Sequence, residues 1–342
     1  MIRRSGKMSK IRMGLIGYGR LGSVHAENIN KSEYAELYAV CDTNSDVLSE
    51  AKKLYENILT FDNLDDFLKA PFDGVVIASS THLHVEHIKL AAQAGKHIFT
   101  EKPIGLTMSE TDEALQDVVK AGVKFQIGFQ RRWDPRYLEA KRIIDSGKIG
   151  TPVLFKAYGR DPNASNPDNW GLDKNGGLFL NAAIHDYDAA RFLLEQEALE
   201  ISANGAALVY TDLRKYQDID TCATTILMSD DTMAITEWSR YASYGYDISA
   251  EVIGTDGVIQ IGNEQDSGVT LRLRNEQSPK VIDVFRDSYA AEIDAFALAI
   301  KNDTAPTPGI EDARIALHLA LLARQSFEES KVIKVTNPAK LD

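Results

Sequence analysis

The chain has 342 residues, 44% of them hydrophobic, and its 50 acidic against 38 basic side chains give a net charge of −12 at neutral pH. That length suits two domains, each large enough to bury a core of its own. The acidic balance, with no basic stripe carrying interleaved aromatics, argues against a nucleic-acid partner, and no apolar run reaches membrane-spanning length.

Residues 2–10 form a basic opening, and the apolar run that follows at 11–16 is too short for a secretory core. Residues 1–9 are expected to be a poorly ordered extension, with Met8 the natural start. The run at 11–16 reads as a first strand, and Gly17, Tyr18, Gly19, Arg20, Leu21 and Gly22 follow it before a helical pattern begins. This is the context of a dinucleotide-binding loop. Gly17 permits the tight turn, Gly19 lets a pyrophosphate reach the backbone, and Gly22 lets the helix lie close to its strand. A second strand at 37–41 ends at Asp42, twenty residues after Gly22. A carboxylate there accepts from both ribose hydroxyls and repels a 2′-phosphate, and neither Thr43 nor Asn44 supplies a cation. The expected cofactor is therefore NAD.

Further strands are expected at 74–78, 97–100 and 124–127, with helices at 83–94, closed by Gly95, and 109–120, closed by Gly122. Strands alternating with helices imply an α/β fold, a doubly wound parallel sheet over residues 10–128. After Gly150 the texture changes to alternating strands at 153–158, 206–210, 222–227, 233–239, 249–253 and 258–261, the last two joined by a hairpin at 254–257. Two more strands are expected at 269–273 and 281–285. Residues 129–342 then form a second α/β domain with a large, mostly antiparallel open sheet. Two helical patterns close the chain, one with Tyr289, Ile293, Phe296 and Ile300 on a face and one with Ile315, Leu319 and Leu322. These helices are expected to pack back towards the first domain. Cys41 and Cys222 fall in separate predicted strands without metal-like spacing, which fits reduced thiols in a cytoplasmic protein.

Lys102, within Glu101-Lys102-Pro103, follows the strand at 97–100 and so stands at a carboxyl end of the sheet, where doubly wound folds bind ligands. A lysine desolvated beside a nicotinamide exchanges the alcohol proton during hydride transfer; on residue type alone a strand-end lysine is a solvated charge. Asn181, His185 and Asp188 stand at i, i+4 and i+7 after the pair Gly176-Gly177. They share one helical face, where His185 can shuttle a proton and Asp188 can orient its ring; the bland reading is a buried core histidine. His82, His84 and His87 with Glu86 invite a metal reading, but only His84 and His87 are one turn apart and hydride transfer needs no metal, so none is expected. Arg131 and Arg132 follow the last strand of the first domain, and one of them can face substrate hydroxyls.

The glycine loop, the segment from Ala94 through Glu101-Lys102-Pro103, the run Gly128-Phe129-Gln130-Arg131-Arg132, and Ile184-His185-Asp186 occur in an order that resembles the Gfo/Idh/MocA oxidoreductases over residues 10–336. The resemblance implies a catalytic Lys102 and His185, a cofactor lined by Ser80, His84 and Glu101, and substrate contacts from Arg131, Asp161 and Tyr244. It also implies a cis Lys102–Pro103 bond, a homodimer or homotetramer formed through the open sheet, and inositol dehydrogenases as the branch most alike. Many of those enzymes carry aspartate four residues before the histidine, whereas this chain has Asn181, which hydrogen-bonds a hydroxyl but relays no proton. The expected activity is NAD-dependent oxidation of a secondary hydroxyl of a polyol, most of all inositol. An aldose dehydrogenase or reductase is the neighbouring alternative, and a non-catalytic NAD-binding regulator the alternative of another class.

Overall fold

Apolar runs such as Ile11–Ile16 and Gly74–Ile77 are buried towards both faces, as strands are when helices cover a parallel sheet on both sides. The computed structural model describes residues 10–162, 171–242, 244–262, 284–338 and 340–341. It divides into two units: Met1–Glu101, Glu113–Gly128 and Tyr289–Gly309 form the first, and Lys102–Asp112, Phe129–Ser288 and Ile310–Asp342 the second.

In the first unit β1 (Ile11–Ile16), α1 (Arg20–Lys31), β2 (Ala35–Cys41), α2 (Ser45–Leu54), β3 (Leu59–Phe61), α3 (Leu64–Leu68), β4 (Gly74–Ile77), α4 (His84–Gln93), β5 (His97–Glu101), α5 (Met108–Ala121) and β6 (Phe125–Gly128) succeed one another. The six strands are parallel in the order β3-β2-β1-β4-β5-β6. Strand order reverses between β1 and β4, the crevice where such sheets bind nucleotides. Side-chain caps start α2, α3 and α5: Asn44 accepts from Asp46 N and Asn63 from Asp66 N, while Glu110 accepts from Thr107 N at 2.9 Å as Glu110 N donates to Thr107 Oγ1. The three-residue β3 is too short and too exposed to show a period, and the sequence gives no sign of it.

The second unit contains α6 (Pro135–Asp145), β7 (Pro152–Arg160), α7 (Leu172–Asn175), a π-helical turn (Phe179–Ala183), α8 (Ile184–Leu194), β8 (Ala198–Ala206), β9 (Thr221–Met228), β10 (Met233–Ser239), β11 (Asp247–Gly254) and β12 (Val258–Ile261). Helix α9 (Arg286–Lys301) runs largely in the first unit; α10 (Ile310–Glu329) and β13 (Ile333–Lys334) return to the second. Its seven strands lie in the order β12-β11-β7-β10-β9-β8-β13, antiparallel except for the parallel pair β7–β10. Burial alternates along β7, β9 and β10, so one face packs beneath α8 and α10. The other face presents Leu154, Lys156, Tyr158, Ile235 and Thr225, with Lys156 Nζ 3.1 Å from Glu251.

The strand expected at 206–210 is not formed. The ladder belongs to β8, which ends at Ala206, and the amides of Leu208, Val209 and Tyr210 donate to the Asp220 carboxylate at 2.7–3.0 Å, which turns them out of the sheet. The strand expected at 269–273 and most of that at 281–285 lie outside the described residues, and Phe285 is a buried residue at the entrance to α9.

The apolar face of α9 completes the first unit's core. Ile293 and Phe296 are fully buried with Met13, Leu15 and Phe99, and the Phe99 and Phe296 rings lie 6.0 Å apart. Phe296→Ala is therefore expected to destabilise this unit by about 3–5 kcal/mol. A denaturation midpoint unchanged from the parent would contradict that placement.

Candidate functional site

On the first unit the glycine loop shows three different constraints. Gly17 has φ +89°, and an added Cβ would lie 2.8 Å from the Ala78 carbonyl oxygen. At Gly22 an added Cβ would lie 2.0 Å from the Gly17 carbonyl oxygen, so helix and turn touch backbone to backbone. At Gly19 nothing lies within 4 Å of where a Cβ would be. Helix α1 begins there without a side-chain cap, leaving its first amides for an outside anion. Arg20 is exposed beside them, Leu21 half-buried, and Tyr18 buried with its hydroxyl bonded to Tyr55. Tyr18 thus meets the site through its backbone: its N–H donates to Asp42 Oδ2 at 2.7 Å, and Asn44 N–H to Oδ1 at 2.9 Å. An ionised carboxylate has about four acceptor positions. Those left over suit two ribose hydroxyls, and the open space at Gly19 with the uncapped amides suits a pyrophosphate. The residues present fit NAD.

The exit of β4 is tied to α4 by two histidines. His84 Nε2 lies 3.0 Å from the Ser79 carbonyl oxygen, and His87 Nδ1 2.9 Å from Ser79 Oγ. Burial first, then the neighbouring His84 and His82, push the His87 imidazole down to about 4. Ser80 is exposed at the same turn. Glu101 ends β5 with its carboxylate turned inward, 2.8 Å from His25 Nε2.

The second unit holds the remaining site residues. Lys102 opens it, following a cis bond to Pro103, and its Nζ donates to the Asn181 carbonyl oxygen at 2.6 Å. Asn181 lies within the π-helical turn, a widened turn of the sort that recurs at functional sites. That contact uses backbone, so it does not depend on whether residue 181 is an amide or an acid. His185, one residue into α8, has its ring 6.1 Å from the Phe129 ring, edge to face, and keeps part of its surface accessible. Enclosure by protein first, then the cations of Lys102 and Arg131, hold its imidazole well below the usual histidine value. It is neutral at pH 7, able to accept at one nitrogen and donate at the other.

Arg131 is buried, its Nη1 bonded to Asp186, whose other oxygen takes the Trp238 indole N–H. Burial works against its charge, and Asp186 together with Tyr137 and Tyr246 more than offsets that. Arg131 is therefore a fixed positive charge felt by His185. Asp188 does not orient the His185 ring as its spacing suggested: both its oxygens are taken by Arg132, at 2.9 and 2.7 Å, and Arg132 also reaches Asp312 at 2.8 Å. Asp161 follows β7, held by backbone bonds with Ser239 and Ala242, and Tyr244 lies in the adjoining loop with its hydroxyl 3.5 Å from Asp247. The turn bearing Asn181 is itself pinned. Asp218 accepts from Leu178 N–H at 3.0 Å and from Arg240 at 2.5 Å, a buried pair with no periodic signature in the sequence.

Residues 11–129 match the oxidoreductase family with an NAD-binding Rossmann fold, and residues 137–260 match the GFO/IDH/MocA C-terminal domain. The scyllo-inositol 2-dehydrogenase (NAD(+)) of Bacillus subtilis is 35% identical, over 95% of this chain and 96% of its own length. The myo-inositol 2-dehydrogenase of Thermotoga maritima is 33% identical, over 95% and 98%. Among solved structures, the scyllo-inositol dehydrogenase of Lactobacillus casei with bound NAD(H) and scyllo-inositol superposes with a TM-score of 0.86 at 32% identity, covering 95% of this chain and 99% of that one.

Two outcomes follow from this geometry. Gly22→Ala is expected to cost about 1–3 kcal/mol of stability through overpacking, whereas Gly19→Ala leaves stability within about 0.5 kcal/mol and weakens NAD binding; calorimetry and a binding titration separate the two, and equal loss of stability in both would contradict the distinction. The folded chain binds one proton fewer than the unfolded chain at His185 once pH drops below about 6.5, so stability present above that pH is lost as the solution is acidified. His185→Asn should flatten that acid limb, and an NMR titration showing the His185 ring charged at pH 6.5 would contradict it.

Proposed function

Because the chain belongs to the Gfo/Idh/MocA family of oxidoreductases, we propose that it is an NAD-dependent dehydrogenase acting on a secondary ring hydroxyl of a cyclitol, with inositol its substrate. The observation that carries this reading is the 2.6 Å bond from Lys102 Nζ to the Asn181 carbonyl oxygen. It ties the lysine of the Glu-Lys-Pro segment to the turn that leads into His185, which supports reading Lys102 as the base beside a neutral imidazole. The likeness in length and sequence to myo- and scyllo-inositol dehydrogenases supports the substrate class.

Bound NAD supplies the hydride acceptor, nicotinamide C4, and the protein handles the proton. Lys102 keeps one N–H on Asn181 and, as the neutral amine, uses its lone pair to take the substrate hydroxyl proton. His185 hydrogen-bonds the same oxygen and polarises it as the carbonyl forms. Burial and the Arg131 cation keep His185 from holding a proton of its own beforehand. Asn181, Asp161 and Tyr244 supply hydrogen bonds to the remaining ring hydroxyls. On the first unit, Gly17, Gly19 and the α1 amides beside Tyr18, Arg20 and Leu21 would hold the pyrophosphate, Asp42 the ribose, and Ser80, His84 and the backbone of Glu101 would border the nicotinamide end. The enzyme acts in the cytoplasm as a homodimer or homotetramer. The open sheet face, with Leu154, Ile235 and Thr225 unburied by this chain, supports association of copies there.

Purified protein with NAD, myo- and scyllo-inositol and a set of aldoses, followed by nicotinamide absorbance, tests the reading. Turnover of an inositol is expected; turnover of aldoses alone would move the substrate to sugars, and NAD binding without any turnover would remove the enzymatic claim. Lys102→Ala should lower kcat by roughly 10²–10⁴-fold with NAD affinity retained. Asp42→Ala should raise the KM for NAD about tenfold or more and narrow the preference over NADP.

A further inference from the structure

Three ionisable side chains meet inside the first unit: His25 on α1, Glu101 at the end of β5 and Glu292 on α9. One ligand-type atom from each lies within 4.8 Å of those of the other two. His25 and Glu292 are 0% exposed and Glu101 6%. The place is built for them. Gly128 on β6 stands in register with Glu101, and a Cβ there would come 3.2 Å from the Glu101 Oε1, so the absent side chain makes the room. The His25 ring is held edge to face by Phe99 and Tyr289, at 5.5 and 5.9 Å.

The hydrogen bonds within this cluster are uneven. Glu101 Oε1 lies 2.8 Å from His25 Nε2, whereas neither oxygen of Glu292 has a hydrogen-bond partner among the described residues. An ionised carboxylate only accepts, and a buried one without donors is among the costliest groups a core can hold. A protonated carboxyl has something to donate, and Glu101 is beside it to receive. We propose that Glu292 is a positioning residue that carries a proton at neutral pH and donates it, directly or through one water, to the Glu101 carboxylate. The carboxylate is then fixed between Glu292 and His25 at the strand end that continues into Lys102. Burial first, then the Glu101 charge, raise the Glu292 carboxyl well above the ordinary glutamate value.

The surroundings agree. From α1 Glu292 faces His25, from β5 Glu101, and from β6 the uncharged Gln126, whose Nε2 donates to the Glu292 backbone oxygen at 3.0 Å; Tyr289 lies a turn earlier on α9. A carboxylate at Glu101 accepts from His25 Nε2, and the His25 Nδ1 has no hydrogen-bond partner among the described residues. A metal ion is the competing occupant. The 2.8 Å between His25 and Glu101 is a hydrogen-bond length, whereas tetrahedral bonds of about 2.0–2.1 Å would hold two ligand atoms about 3.3 Å apart.

The role in catalysis rests on the reading of Lys102 as the base, but the proton can be tested without it. In full-length protein at pH 7, infrared spectroscopy is expected to show the C=O stretch of a protonated carboxyl, absent in Glu292→Gln. The folded wild type then binds one proton more than its unfolded chain above the ordinary glutamate pKa of about 4.3, so stability is full below that value and lost as pH rises. Between pH 5 and 7 its folding constant should fall about tenfold per pH unit relative to Glu292→Gln. For activity, Glu292→Gln keeps a donor and should hold kcat within roughly threefold, while Glu292→Met lowers it roughly tenfold or more at unchanged NAD affinity. No carboxyl band, a band that persists in Glu292→Gln, or a stoichiometric metal ion lost in that variant would overturn the proposal. A dehydrogenase assay without turnover would overturn only the reading of Lys102, since the spectroscopic and stability measurements do not pass through it.

Discussion

The carbonyl oxygen of Gly17 lies where a side chain on Gly22 would be, 2.0 Å from its Cβ position, and much else in the first unit follows from that close approach. Helix α1 can begin at once after β1 only because turn and helix meet as bare backbone. That places uncapped amides at the point where strand order reverses, with open space at Gly19 and the Asp42 carboxylate held by the Tyr18 and Asn44 amides. That arrangement suits recognition of phosphate and ribose largely by backbone and by one acid. The side chains of Tyr18 and Leu21 contribute by packing.

The chemistry of the second unit is governed by charges that cannot move. Arg131 is locked to Asp186, whose other oxygen takes the Trp238 N–H, and Arg132 to Asp188 and Asp312. His185 thereby lies among cations and stays neutral, while Lys102 is anchored by a carbonyl group. Asn181 in place of an acid leaves the lysine's anchor intact, because that anchor is a backbone carbonyl.

The parallel sheet and its ligand edge were legible in the sequence because its strands are buried on both faces and its glycines have geometric roles that few other residues fill. The antiparallel meander was legible where burial alternates and failed at 206–210, where Asp220 takes the amides that a strand would have used. Spacing alone put Asn181, His185 and Asp188 on one face; it carried no information on the partner of Asp188, which comes from a distant segment. Glu292 had left a trace, as a carboxylate among Tyr289, Ile293 and Phe296 on the apolar face of α9. Its partners His25 and Glu101 come from two other elements, and only the fold brings them within reach.

Hydride transfer from ring carbon to cofactor is the centre of the account, and isotope transfer tests it most directly. With inositol deuterated at the reacting carbon, the wild-type enzyme should deliver one deuterium to C4 of the nicotinamide and show a primary kinetic isotope effect, with no label taken from solvent. A reduced cofactor bearing hydrogen from solvent, or bound NAD that remains unlabelled while inositol is intact, would contradict it.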